Sequence, residues 1–241
     1  MKTNKILILP VIALLIFVNN NTNTGNSLRA EVDINGYSGE SIQYLIRPAG
    51  KSEYKNLGMV DLKGVKVALL TLKSKILFIE VSEKIYYDPE SLLPYKTERT
   101  NSGFWVKEYR TEEYDQKKFT VVIKIFKGKK LAKEKIVKAN GPIQNVNLLL
   151  FYLRKQTDLK IGWHFTAQVL EEFKLLKVDL KLLSIDEITI PAGKFKAYHF
   201  KSVPAKFEIW MDKNTPHVAL IIKLKNIIDC TISMKGYSHS Q

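Results

Sequence analysis

The chain has 241 residues, 45% of them hydrophobic, with 38 Lys and Arg against 24 Asp and Glu and a formal net charge of +14. The one cysteine excludes an internal disulfide framework. Only five of the bases are Arg, the residue that nucleic-acid surfaces enlist for bidentate and stacking contacts, so no nucleic-acid partner is expected.

Lys2 and Lys5 head an apolar run, Ile6–Val18, interrupted only by Pro10, and Asn19–Ser27 is then entirely polar or Gly. A charged head, an apolar core and a polar tail follow the order of a secretory signal peptide. As a helix this core extends roughly 20 Å at ~1.5 Å per residue, short of the ~30 Å hydrocarbon slab. Residues 1–30 are therefore expected to be a signal peptide. Leu28 is a poor match to the small residue preferred three positions before a cut after Ala30, so an uncleaved amino-terminal anchor is the alternative. Residues 31–241 suffice for one core, expected as a single β-barrel-like domain. The expected location is outside the cytoplasm, in the periplasm or cell envelope, soluble after cleavage or tethered by the uncut segment.

Strands are expected at Ser41–Arg47, Val65–Lys73, Ile76–Ile85, Phe104–Arg110, Lys118–Phe126, Leu131–Val137, Gly162–Val169 and Lys174–Leu183, with a hairpin turn at Gly128-Lys129-Lys130. In the last of these strands Leu176, Val178, Leu180 and Leu182 share a face, and Lys177, Asp179 and Lys181 take the other. Between them one segment breaks the β period. Asn145 is a good N-cap, and Val146, Leu149, Leu150 and Leu153 follow helical spacing. Leu148, Phe151 and Tyr152 make this helix apolar on its other faces, which requires burial. Leu183–Lys225 reads as four strands parted by Pro191-Ala192-Gly193, Val203-Pro204 and Asp212–Pro216. Ile227–Met234 reads as another, with Cys230 on its apolar face as an inert buried thiol. The fold class is all-β with one or two short helices: a strongly curved antiparallel meander sheet or barrel, the helix near 144–155 packed into or over its concave side.

These signatures, in this order, resemble the bacterial envelope family called domain of unknown function 3108 (DUF3108). Residues Asn145–Arg154 resemble its helix, which carries an acid, a Leu-Ser pair, a Tyr and an Arg. Here Asn145 replaces the usual acid and Leu149 stands near the usual Ser. Ile190–Phe195 resembles its Pro-Ala-Gly-x-Phe hairpin, Ile209–Asp212 its Trp-bearing strand, and Tyr87–Tyr95 its central Asp-Pro connection. The resemblance covers about residues 40–237. It implies an exported, lipocalin-like or lipoprotein-carrier-like β-structure, and it brings no catalytic residues with it.

No catalytic constellation, cofactor motif or metal signature accompanies this pattern. His164, His199, His217 and His239 never fall at i, i+4 or beside the cysteine. Gly36-Tyr37-Ser38-Gly39 lacks the second Gly of a nucleophile elbow at the required spacing, where Glu40 stands, and has no apolar strand before it. Glu112-Glu113 and Glu171-Glu172 are adjacent, so on strands each pair points to opposite faces. The alternation suggests no polar cluster inside the concavity. Four residues are candidates for ligand contact: Trp210, on a charged strand face with Lys206, Glu208 and Asp212; Trp163, on an apolar face with Phe165, Ala167 and Val169; Tyr152; and Arg154. Arg154 is either an internal cation for a carboxylate or phosphate or a cap on the helix carbonyls.

The expected function is a non-enzymatic envelope protein that binds or carries a lipid-like or other amphiphilic small molecule. The alternative is a structural or protein-interaction module whose Lys-rich surface meets an envelope protein or an anionic membrane surface. Less favoured is a hydrolase or isomerase with an unfamiliar site.

Overall fold

A computed structural model describes residues 37–104, 106–225 and 230–239. The expected signal segment 1–30, Trp105 and Ile227 lie outside the described residues. The described chain forms β1 (Glu40–Arg47), β2 (Gly50–Leu62), β3 (Val65–Ile76), β4 (Ile79–Tyr87), β5 (Pro94–Gly103), β6 (Val106–Asp115), β7 (Thr120–Lys127), β8 (Lys130–Lys138) and β9 (Ile143–Gln144). The helix α1 (Val146–Arg154) follows, then β10 (His164–Glu171), β11 (Lys174–Ile190), β12 (Gly193–Val203), β13 (Phe207–Asp212), β14 (Ala219–Leu224) and β15 (Cys230–His239). No described helix is long and apolar enough to cross a membrane.

All fifteen strands join one sheet in the order β8-β7-β6-β5-β4-β3-β2-β1-β15-β14-β13-β12-β11-β10-β9. Each half is a meander, and β1 pairs with β15 to join them. Every pairing is antiparallel except that of β9 with β10. The sheet is strongly curved but not closed by hydrogen bonds. The alternation of β1, β3, β11 and β14 places Ile42, Tyr44, Ile46, Leu70, Leu72, Val178, Leu180, Leu182, Ile222 and Leu224 in one buried cluster. Leu148, Leu149, Phe151 and Leu153 of α1 belong to the same cluster, so the helix lies within the curl. Nine residues are too few for a stable helix in water. Burial of seven of them holds it, at roughly 1.5–3 kcal/mol for each fully buried large apolar side chain. The Asn145 side chain accepts the Asn147 N–H at 2.8 Å and caps its start.

The two ends of the sheet meet through side chains instead of a strand ladder. The β10–β11 turn presents Phe173 beneath Lys133 of β8, whose ammonium lies 3.6 Å from the ring centroid. Lys135 Nζ donates to the Phe173 carbonyl at 3.1 Å, and an Arg110 guanidinium N–H donates to the Glu172 carbonyl. Gln116 binds the backbone of Ile143 in both directions, at 2.9 and 3.1 Å. A small apolar cluster of Tyr114, Val121, Ile123, Val137 and Ile143 fills this junction, with Phe173 packed against it.

Several expectations are corrected. Strands β2 and β5 were not expected. The inward face of β2 carries Ser52, Tyr54 and Asn56, and a bulge at Asn56/Met59, with Gly58 at φ 73°, interrupts its period. The inward face of β5 carries Thr97, Arg99 and Asn101, opposite Ile85, Glu83 and Val81, so it offers no hydrophobic alternation to read. The expected strand Ile76–Ile85 runs through the β3–β4 turn at Leu77-Phe78. The segments expected as separate strands on either side of Leu183 are one 17-residue strand, bulged between Leu182 and Ser184. The last strand runs on to His239, whose Nε2 sits 2.8 Å from the Ser38 carbonyl.

Candidate functional site

Three clusters surround α1 and its neighbours, two of them polar and one aromatic, the last packed against the main core. The first seats the helix. Arg154, in its last turn, makes a two-pronged pair with Glu40 at the start of β1. Its Nε donates to the Pro216 carbonyl at 3.0 Å, and its guanidinium lies 4.2 Å from the Tyr37 ring centroid. Burial alone would lower the pKa of this guanidinium, but the Glu40 hydrogen bonds and charge outweigh it and the net direction is up. The helix carbonyls of Tyr152 and Leu153 are met instead by the Lys155 N–H and by Gln156. Any anionic ligand reaching Arg154 would therefore have to displace Glu40. Lys155 Nζ donates to the Pro89 and Glu90 carbonyls at 2.8 and 3.2 Å, tying the end of α1 to the β4–β5 connection.

The second cluster is a buried charge network on the concave face of β4–β6, where no polar group was expected. Register places Glu83 opposite Arg99, and Arg99 opposite Arg110. Two arginines directly across a ladder repel, and the flanking acids offset this. Arg99 Nη2 donates to Glu83 Oε1 at 2.8 Å. Asn147 Nδ2 of α1 donates to Glu83 Oε2 at 3.1 Å, and Tyr54 OH donates to Asn147 Oδ1 at 3.2 Å. Glu112 Oε1 accepts from Arg110 Nε at 2.8 Å, while Oε2 accepts from Thr97 Oγ1 at 2.9 Å and Tyr114 OH at 2.5 Å. Burial would raise the Glu112 carboxyl, but Arg110, Arg99 and these hydroxyls outweigh it and hold it below the usual range. Each carboxylate oxygen of Glu83 and Glu112 is engaged by the chain's own donors. Such a network fixes strands and helix in place; it presents no idle acid–base pair.

The third feature brings two expected residues together. Tyr152 of α1 stacks on Phe165 of β10, with ring centroids 4.0 Å apart and planes at 24°. Trp163 lies parallel to Phe165 at 6.4 Å and edge-on to the buried Phe200 at 5.9 Å. Tyr152, Phe165 and Trp163 are each half-buried, and the neighbouring Ile161 is exposed. Tyr152 and Arg154, two positions apart, project roughly 200° from one another around the helix. Arg154 therefore does not share the aromatic stack.

Trp210 is separate from all three. It lies on the charged face of β13, yet only 7% of it is exposed. Its ring stacks on His199 of β12 at 4.0 Å, its Nε1 donates to Asp186 Oδ2 at 2.8 Å, and Lys223 Nζ sits 4.8 Å from the ring centroid. Its own neighbours in the sheet thus cover it. Cys230 is half-buried where a buried thiol was expected, and burial pushes its thiol up. Among the described residues no cluster of three or more His, Cys, Asp or Glu could hold a metal ion.

The family model described as protein of unknown function (DUF3108) matches residues 70–228. Among solved structures, the chain is similar to a beta-barrel-like protein of domain of unknown function DUF1849 from Brucella abortus, with a TM-score of 0.54 and 7% identity over 84% of this chain and 98% of that one. It also aligns with a protein of YmcC-like fold from Bacteroides fragilis, at a TM-score of 0.34 and 7% identity over 83% of this chain and 96% of that one. At these identities the likeness concerns the fold alone. No curated protein matches the sequence.

Proposed function

We propose, from the premise that this chain belongs to the DUF3108 family, that it is a non-enzymatic exported envelope protein that binds an apolar or amphiphilic, lipid-like molecule at the Tyr152–Phe165–Trp163 stack. The observation that carries this reading is a partly buried run of stacked aromatic rings between α1 and the start of β10. Partly accessible aromatic rings offer apolar area at little cost in side-chain entropy, and binding sites combine such surface with a few polar groups. The export reading rests on the order of residues 1–30. Organic extraction of the purified protein, read by mass spectrometry, is expected to release a lipid-like molecule, and Trp163→Ala is expected to reduce its yield. Equal recovery from the variant, or none from either protein, would remove this reading.

A second reading has its own support. The curl is occupied by α1, whose Leu148, Leu149 and Leu153 are fully buried, and the charges inside it are paired. This favours a structural or interaction module, which the absence of any extracted ligand would leave standing.

A further inference from the structure

Four neighbouring hairpin tips lie along one rim of the sheet: the β1–β2 turn at 47–50, the β3–β4 turn at 76–79, the end of β5 at Gly103–Phe104 and the β7–β8 turn at 127–130. The meander sends each odd-to-even turn to the same side, and contacts between tips show the adjacency. The Leu77 N–H bonds to the Ala49 carbonyl at 3.3 Å, and Phe78 meets Phe104 edge-on at 6.5 Å. The middle of this rim is apolar and wet: Leu77 is 65% exposed, Phe78 54% and Phe104 84%. Its flanks are basic, with Arg47 and Lys51 exposed on one side and Lys127, Lys129 and Lys130 on the other. The acid beside the apolar tips, Glu80, is taken by Lys75 at 2.9 Å.

Single exposed apolar residues are ordinary, but three that adjoin across two tips between basic flanks form a patch with a direction. We propose that this rim docks on an anionic lipid bilayer, the apolar tips entering the headgroup boundary while the flanking bases meet the lipid phosphates. Apolar insertion and basic attraction are the two terms that hold a peripheral protein on such a surface. The charge pattern selects this occupant over a second copy of the chain, which would bring the same bases against themselves. The inference requires no ligand inside the curl; it rests on the alternative reading, a Lys-rich surface that meets an anionic membrane, and gives that surface a place in the fold.

The test uses the full chain with Cys230→Ala and an environment-sensitive fluorophore on a single engineered thiol, at Phe104→Cys or, on the opposite rim, at Lys63→Cys. Vesicles contain phosphatidylcholine alone or mixed with phosphatidylglycerol. Labels at two rims separate docking of the tips from any attachment through the apolar amino-terminal run. The label at position 104 is expected to shift to blue emission with the anionic vesicles, to lose most of that shift in high salt, and to lose it in the Phe78→Asp background. The label at 63 is expected to stay unchanged. Removing the charge of Lys129 and Lys130 with Gln is expected to weaken the response about tenfold or more. No shift at 104, an equal shift at both positions, or an equal response to pure phosphatidylcholine would overturn the proposal. So would a vesicle-free shift that grows with protein concentration, which would assign the rim to self-association. Circular dichroism of each variant checks the fold, which exposed tips leave intact.

Discussion

Arg154 in the last turn of α1 and Glu40 at the first position of β1 meet at 2.6 and 2.5 Å, with each side chain 1% exposed. The two residues are 114 positions apart, so this pair is one of the ties that holds the helix inside the sheet. Removing one partner strands a buried charge. Glu40→Gln or Arg154→Ala is therefore expected to cost about 3–5 kcal/mol, and the double replacement Glu40→Leu with Arg154→Met markedly less than the two singles together. Urea unfolding of the four proteins measures this; single losses below about 1 kcal/mol would mean that the pair does not hold the helix.

Glu112 links stability to acid. Its folded carboxyl lies below its ordinary value because Arg110, Arg99 and two hydroxyls outweigh its burial. A depressed carboxyl stabilises the fold at pH above its unfolded value, roughly 4.3, and that contribution is lost as pH falls through the folded value. Acid unfolding of Glu112→Gln is expected to be less steep below about pH 4 than that of the parent, alongside lower stability at neutral pH. Parallel acid limbs for the two proteins would refute the linkage.

The tyrosines predict an alkaline limb of opposite sign. Burial raises the phenols of Tyr44, Tyr54 and Tyr114, and pushes Tyr87 up to about 12 despite the hydrogen bond that Asn56 donates to it. A raised phenol favours the folded state fully below its unfolded value near 10, and this support fades as pH rises from there toward about 12. Ultraviolet absorbance of the phenolate is expected to show exposed tyrosines ionising near their ordinary value and these four only together with unfolding. A single smooth titration, with circular dichroism unchanged, would count against it.

The helix start and its packed face separate cap from core. Asn145→Ala removes the acceptor for the Asn147 N–H and is expected to cost about 1 kcal/mol. Leu149→Ala opens a cavity where the side chain is 1% exposed and is expected to cost about 2–5 kcal/mol. Thermal and urea midpoints give both; a cap loss larger than the core loss would overturn the view that burial, more than capping, sustains this short helix.

Strands with apolar inner faces were legible because alternation is a local property. Leu176, Val178, Leu180 and Leu182 announce β11, and Asn145 with the following leucines announces α1. Strand β5 was illegible for the converse reason: Thr97, Arg99 and Asn101 face inward as polar groups, and a polar inward face looks like a polar outward one. The same blindness hid Glu83, Arg99, Arg110 and Glu112 as a set. Tyr152 and Trp163 stood out as aromatics, but their meeting through Phe165 depends on how β10 passes α1. Trp210 was assigned to the charged face, where it lies, while its cover by His199 and its bond to Asp186 come from the register of β11–β13.

The residue order alone determined an antiparallel β-protein with one apolar helix near its middle, because periods of 2 and 3.6 residues and turn chemistry act between neighbours in the chain. Which charge faces which, that Arg154 answers to Glu40 and that Leu77, Phe78 and Phe104 gather on one rim, was decided only by the folded sheet. Register and curvature bring together groups tens to more than a hundred positions apart, and no local period records such distances.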